Sequence, residues 1–316
     1  MKIYWRVGGI CTLLLIGIIS CKKNEVKVES TTTQKVFVMP EIPDLIVDDA
    51  ARINYLIENY WSQMDFNDTS YVHYPKVTDQ AIVDYIDMLR TSDDTLLVNK
   101  SVANFLAGVS TDSSGVLFNY LIDVFTRYTN NSNSPVRSER LYRLLARSVI
   151  ASDYPRLDMA LKERIRFDLE MINKNRVGQK ANDFQFILAS GKVGSLYETH
   201  AQYTILFFYD PDCNICSNYV DILNKLTLLN SYIEQKKIKV LAVCVEDKFE
   251  QWKNDIEKLP STWIKAYDIE QQITRKRIYS LDVMPMMYLL DKDKKVILKD
   301  PELSELLGWI DNQEKN

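Results

Sequence analysis

An apolar, aromatic run from Tyr203 to Tyr209 passes through Asp210-Pro211-Asp212 into Cys213-Asn214-Ile215-Cys216, where a helical pattern begins at once. No other segment constrains the chain as much. Two thiols three positions apart at a helix start can close a disulfide with little backbone movement. The helix dipole and free N–H groups there favour the thiolate, which is the reactive form. The spacing suits reversible two-electron thiol–disulfide exchange. Half of a zinc site shows the same spacing, but the only histidines are His73 and His200, far apart, and no second cysteine pair exists. Redox chemistry therefore outweighs metal binding, and no metal is expected. An inert structural disulfide is the third reading, and it fits a short loop at a helix start less well.

The flanking pattern predicts strands over Lys180–Leu188 and Val193–Tyr197 around a Gly191-Lys192 turn, then the strand before the cysteines and a helix reaching Gln235. A second central strand follows over Ile238–Val245. Helices are expected over Phe249–Lys258 and Gln271–Tyr279. Strands at Met286–Leu290 and Val296–Leu298 flank a charged turn, Asp291 to Lys295, and Leu303–Ile310 closes as a helix. Strands alternating with helices and ending in a hairpin describe an α/β sheet with a mixed edge.

From about Val177 to Ile310 the chain resembles the thioredoxin superfamily, in particular the membrane-anchored thiol–disulfide oxidoreductases of bacterial envelopes. The resemblance rests on Cys213 and Cys216 at the strand–helix junction, Met284-Pro285 before the hairpin, and the leading segment Gly178 to Phe184. It implies that Cys213 is the nucleophile and that Cys216 resolves the mixed disulfide. It further implies that Pro285 is cis and faces the cysteines, and that the Met284 backbone pairs with substrate. Position 207, often a buried acid in thioredoxin proper, is Phe207, and the position before the first cysteine, commonly Trp, is Asp212. The proton acceptor for the resolving thiol is thus unassigned; Glu246 is a candidate, against a solvated loop carboxylate. Asp210 and Asp212 oppose the dipole's effect on Cys213, which favours a reducing couple. The leading segment is also peroxiredoxin-like. A peroxidase, however, needs a Thr three positions before its cysteine, where Asp210 stands, and Leu206 is not the Pro such a motif carries.

At the other end, Lys2 and Arg6 flank an apolar run from Val7 to Ile19 that ends in Ser20-Cys21. A basic start with a short apolar core reads as a secretory signal. The 13-residue run is too short for a spanning helix, which needs about 20 residues. The small residue before Cys21 resembles the lipobox of bacterial lipoproteins. That resemblance implies cleavage after residue 20, acylation of Cys21 and attachment to a membrane in a disulfide-permissive envelope, facing the periplasm. An uncleaved anchor is the alternative. Of the five cysteines, Cys11 leaves with the signal and Cys244, inside an apolar strand, is expected to be an inert small hydrophobe.

The expected layout is a signal peptide at 1–20, the lipidated cysteine and a tether at 21–43, an all-α domain at 44–175 and a thioredoxin-like α/β domain at 176–316. The 296 residues from Cys21 exceed one ordinary domain. In the helical part, Ile53, Leu56, Ile57, Tyr60, Trp61 and Met64 recur at helical spacing. Thr78 reads as a cap before Ala81, Ile82, Tyr85, Ile86 and Leu89. Further helices are expected over Leu96–Ala107, Val116–Tyr128, Glu139–Ile150 and Leu157–Asn173, with a loop at Asn130–Pro135. An aromatic stripe (Tyr55, Tyr60, Trp61, Tyr85, Tyr120, Tyr128, Tyr142) is expected in the core. The segment resembles helical domains of unassigned function that precede thioredoxin-like domains in Gram-negative envelope lipoproteins.

A net charge of −4 gives no basic field for nucleic acid, and no phosphate-binding glycine loop is present. The expected activity is a reductase of protein disulfides without an organic cofactor. Its partners are protein thiols and disulfides and an upstream electron donor. The alternative is a non-catalytic binding module in which the helical domain recognises a partner or envelope ligand.

Overall fold

The computed structural model describes residues 35–314, so the expectations for the signal, Cys11 and Cys21 lie outside the described residues. No described helix is long and apolar enough to cross a membrane. Six helices come first: α1 (Asp49–Asn59), α2 (Pro75–Thr91), α3 (Thr95–Val109), α4 (Val116–Asn130), α5 (Glu139–Ala151) and α6 (Met159–Ile172). Side-chain oxygens start most of them. Asp48, Asp94, Ser138 and Asp158 cap α1, α3, α5 and α6, accepting bonds from first-turn amides that otherwise lack partners. For α4, Asp112 accepts from the Leu117 and Phe118 amides at 2.8 and 3.1 Å. The residue before α4 must be glycine: Gly115 has φ +81, and a Cβ there would lie 2.5 Å from Arg156 Cβ.

Two local expectations fail here. Thr78 is no cap: α2 begins three residues earlier at Pro75, and Thr78 is buried inside it, its hydroxyl donating to the Tyr71 carbonyl at 2.8 Å. Pro at a first helical position already supplies the required φ and has no amide to satisfy. Likewise α1 stops at Asn59, leaving Tyr60 and Trp61 just past its end, where they are still buried, and Ile53 is exposed.

The core of this half is aromatic. Tyr60, Trp61, Tyr85, Phe105 and Phe125 are buried, with Trp61–Phe105 and Tyr60–Tyr85 centroids 5.0 and 5.2 Å apart. The Tyr85 hydroxyl meets Ser101 Oγ at 2.7 Å, and Ser101 donates to the Ile57 carbonyl at 2.6 Å, so three elements share one buried relay. Tyr142 is also buried, and Tyr120 and Tyr128 pack on the rim of this core; Tyr55 is not among its members. Phe37 lies within the stretch expected to be a tether, yet its ring stacks on Tyr60 at 5.0 Å.

The second half is a seven-stranded sheet, order β2-β1-β5-β4-β3-β6-β7. Its elements are β1 (Gln185–Leu188), β2 (Val193–Ser195), β3 (Tyr203–Tyr209), α7 (Asn214–Lys225), α8 (Thr227–Glu234), β4 (Ile238–Cys244), α9 (Phe249–Asp255), β5 (Ile264–Tyr267), α10 (Gln272–Arg275), β6 (Met286–Asp291), β7 (Val296–Lys299) and α11 (Leu303–Glu314). Strands β3, β4 and β5 are parallel, and the remaining pairings are antiparallel. Side chains alternate across β3: Ile205, Phe207 and Tyr209 enter one hydrophobic layer, Leu206 and Phe208 the other.

Four expectations change in this half. The helix expected to reach Gln235 is two helices, because Leu226 takes an extended conformation. The helix expected over Gln271–Tyr279 is the single turn α10, bounded by left-handed residues at Gln271 and Arg277. Of Lys180–Leu188, only β1 joins the ladder, while Lys180 makes an isolated bridge to Lys295. Strand β5 was not expected at all: its four residues, broken by Lys265, form no apolar run of their own.

Polar contacts join the halves. The nearly buried Lys299 ammonium, from β7, donates to Glu139 of α5 at 2.8 Å and to the Ile172 carbonyl at 3.1 Å. Arg137 pairs with Asp300. Buried Asn175 donates to the Ile278 carbonyl at 2.8 Å.

Candidate active site

Both cysteines sit where the parallel strand β3 ends and α7 begins. Asp210 turns the chain, its side chain accepting from the Asp212 amide at 3.0 Å and its carbonyl from the Cys213 amide at 3.1 Å. Cys213 is then the residue that caps α7, its Sγ accepting from the Cys216 amide at 3.0 Å. Cys213 and Cys216 form a disulfide. Their environments differ: Cys213 is half-buried, whereas Cys216 is 2% exposed and packed against Val220 and Leu223 in one apolar layer. The Met284–Pro285 peptide is cis, and the Met284 carbonyl oxygen lies 3.7 Å from Cys213 Sγ. The fold thus brings together the four residues the sequence singled out, from two segments about 70 positions apart.

The charge around Cys213 is not what the sequence suggests. Lys248, just past β4, reaches Asp210 at 2.9 Å and Asp212 at 2.7 Å. Gln251 donates to Asp212 as well. Hydrogen bonds from Lys248 and Gln251 hold the Asp212 carboxyl below the usual carboxylate range, and those two acids push the Lys248 ammonium up. Two carboxylates share one cation, so the negative field at Cys213 is reduced rather than removed. Sequence reasoning missed Lys248 and Gln251, although one signal was available. β3 and β4 pair in parallel with Tyr209 opposite Cys244, so residues following each strand must meet at the same edge.

A cavity of about 170 Å³ opens beside Cys216, lined by Tyr209, Asp210, Asp221, Asp255 and Lys258. It is large enough for water. Glu246, the acceptor suggested by sequence, is not part of that lining. Phe207 is fully buried beneath the site, its ring 5.8 Å from Trp263. Cys244 is fully buried, and burial pushes its thiol up to about 12.

Residues 177–299 match the AhpC/TSA family, and residues 20–175 match a domain of unknown function, DUF5106. A solved thioredoxin-like protein from Bacteroides caccae is 33% identical over 88% of this chain and 99% of its own length, with a TM-score of 0.80. This chain belongs to the thioredoxin-like family. Its relatives include the C-terminal domain of an uncharacterized protein from Bacteroides fragilis, 36% identical over 43% of this chain and 98% of that one, TM-score 0.43. A domain of a possible thiol-disulfide isomerase from Cytophaga hutchinsonii is 28% identical over 45% of this chain and 96% of that one, TM-score 0.38. No curated protein matches. In this thioredoxin-like chain a helical region precedes a mixed sheet flanked by helices, and the cysteine pair stands at the carboxyl end of a central strand.

Proposed function

We propose that the chain is a thiol–disulfide oxidoreductase of the bacterial cell envelope that reduces protein disulfides, held to a membrane by lipid on Cys21. The observation that carries the redox reading is the inequality of the pair: Cys213 half-buried at the helix start, Cys216 almost fully buried one turn in. In the reduced enzyme the Cys213 thiolate attacks a substrate disulfide. A mixed disulfide forms and one substrate thiolate leaves. Cys216 attacks Cys213 Sγ, closing the Cys213–Cys216 bond and releasing the second substrate sulfur, which takes up the proton Cys216 gives up and leaves as a thiol. Two electrons pass from enzyme to substrate, and an upstream dithiol returns the pair to its reduced form. The reductive direction is supported by the net negative charge left when Lys248 serves both Asp210 and Asp212, which disfavours the Cys213 thiolate. Met284 and Pro285 form the wall against which the substrate chain pairs.

Trapping tests this reading. Cys216→Ser should accumulate mixed disulfides with client proteins, and Cys213→Ser should trap almost none. Equal failure of both variants, with a wild-type pair that stays in one redox state across a glutathione series, would overturn it. Anchoring is tested by intact mass of membrane-extracted protein, which should begin at Cys21 with acyl mass added. A mature chain that begins elsewhere without lipid sinks the anchor.

A further inference from the structure

The surface beside the cysteines is shared by both halves of the molecule. A groove of about 600 Å³ runs from the active-site wall to the loop between α4 and α5 and to the first turn of α11. Ile215, Met284 and Pro285 line one side, Ser132 and Asn133 of the helical half face it, and Glu302 and Glu305 stand at the end. Ile215 and Met284 flank Cys213 in the chain and across the cis-proline wall, so the groove lies beside the position a substrate at Cys213 would take.

The far wall is preformed. In the loop, Val136 is buried in the helical core, the Ser138 amide donates to the Thr129 carbonyl at 2.9 Å, and Arg90 donates to the Pro135 carbonyl. Lys299–Glu139 and Arg137–Asp300 fix the two halves beside it. Ordering this surface therefore adds little entropic cost on binding.

Charge selects the occupant. Arg137 is taken up by Asp300, and Arg90 by Pro135 and Asp87. Glu302 and Glu305 are exposed and have no ion-pair partner among the described residues. We infer that the groove between the α4–α5 loop and α11 binds an extended segment of a substrate polypeptide carrying Lys or Arg near the attacked cysteine, with the helical half as one wall of the specificity site. This rests on the redox reading above.

The test measures reduction of short peptides with one disulfide, their cysteines flanked by lysines or by glutamates, alongside the small neutral bis(2-hydroxyethyl) disulfide. Wild type should favour the lysine peptide in kcat/KM, and Glu305→Lys or Glu302→Lys should each lower that preference about fivefold, the worth of one exposed ion pair. Asn133→Lys, on the opposite wall, should lower it as well. Turnover of the neutral disulfide should stay unchanged in all three variants. Because both glutamates also suit the helix dipole of α11, urea midpoints are compared, and a rate change on both substrates that tracks stability overturns the inference. So does equal wild-type turnover of the two peptides, or an Asn133→Lys variant that behaves as wild type. Failure to reduce the neutral disulfide, by contrast, rejects the redox reading itself.

Discussion

Four helices of the N-terminal half begin at a side-chain oxygen, whereas the helix at the active site begins at a sulfur. The local geometry is the same in both halves: an extended residue turns its side chain back to accept a first-turn amide. In the helical half that bond does nothing but start a helix, and Asp or Ser fills the position. At Cys213 the same amide of residue 216 and the same dipole act on an atom that can leave the cap and attack. In the proposed reaction a structural motif becomes a reactive one by exchanging a single atom type.

The comparison breaks most decisively at position 213 itself. Cys213→Ser keeps a good capping group and removes the nucleophile, so disulfide exchange should be lost entirely while the urea midpoint, compared with that of the reduced wild type, stays within experimental scatter. A large drop in stability would show that the sulfur is needed structurally. Next in size, Tyr85→Ala empties the centre of the aromatic cluster and breaks the relay to Ser101, and should cost about 3–5 kcal/mol by urea unfolding. A loss below 1 kcal/mol, by the same scale, would mean that the helical half is not held by that core.

The junction is the third place to press. Lys299 is nearly buried, but its partner Glu139 is about a quarter exposed. Lys299→Ala should therefore cost about 3 kcal/mol, the low end for a broken buried pair. It should also split one unfolding transition into two, as seen by tryptophan fluorescence against redox activity. A single unshifted transition would show that the halves do not depend on this contact. Smaller still are the caps. Asp94→Ala and, against the reduced wild type, Cys213→Ala should each cost about 1 kcal/mol, and only the second should change exchange with glutathione.

Cys244 sharpens the contrast between a reactive and a silent sulfur. Burial raises its thiol to about 12, against an ordinary value near 8.5 in an unfolded chain. The sign follows: its contribution to stability is full below the unfolded value and is lost as pH climbs toward the folded one. At pH near 8 the folded, reduced protein should label at Cys213 and spare Cys244 until denaturant is added. Fast native labelling of Cys244 would place that strand at the surface.

The sequence by itself determined the features written in contiguous residues. The β3–α7 junction, the Cys213-x-x-Cys216 pair, the β6–β7 hairpin after Met284-Pro285 and the helical periods of α2 to α6 are all local patterns. Strand β5 escaped because its four residues, broken by Lys265, form no apolar run. Cap positions were also misread where two devices competed, as when Pro75 started α2 ahead of Thr78. What only the tertiary structure decided is the field and the shape around the sulfur. Lys248 lies 38 positions from Asp210 yet pairs with it and with Asp212, because parallel strands bring their carboxyl ends to one edge. The α4–α5 loop lies far earlier in the chain than Pro285 yet shares a groove with it. Charge and shape at a site depend on distance in space, and a packed sheet sets that distance without regard to separation along the chain.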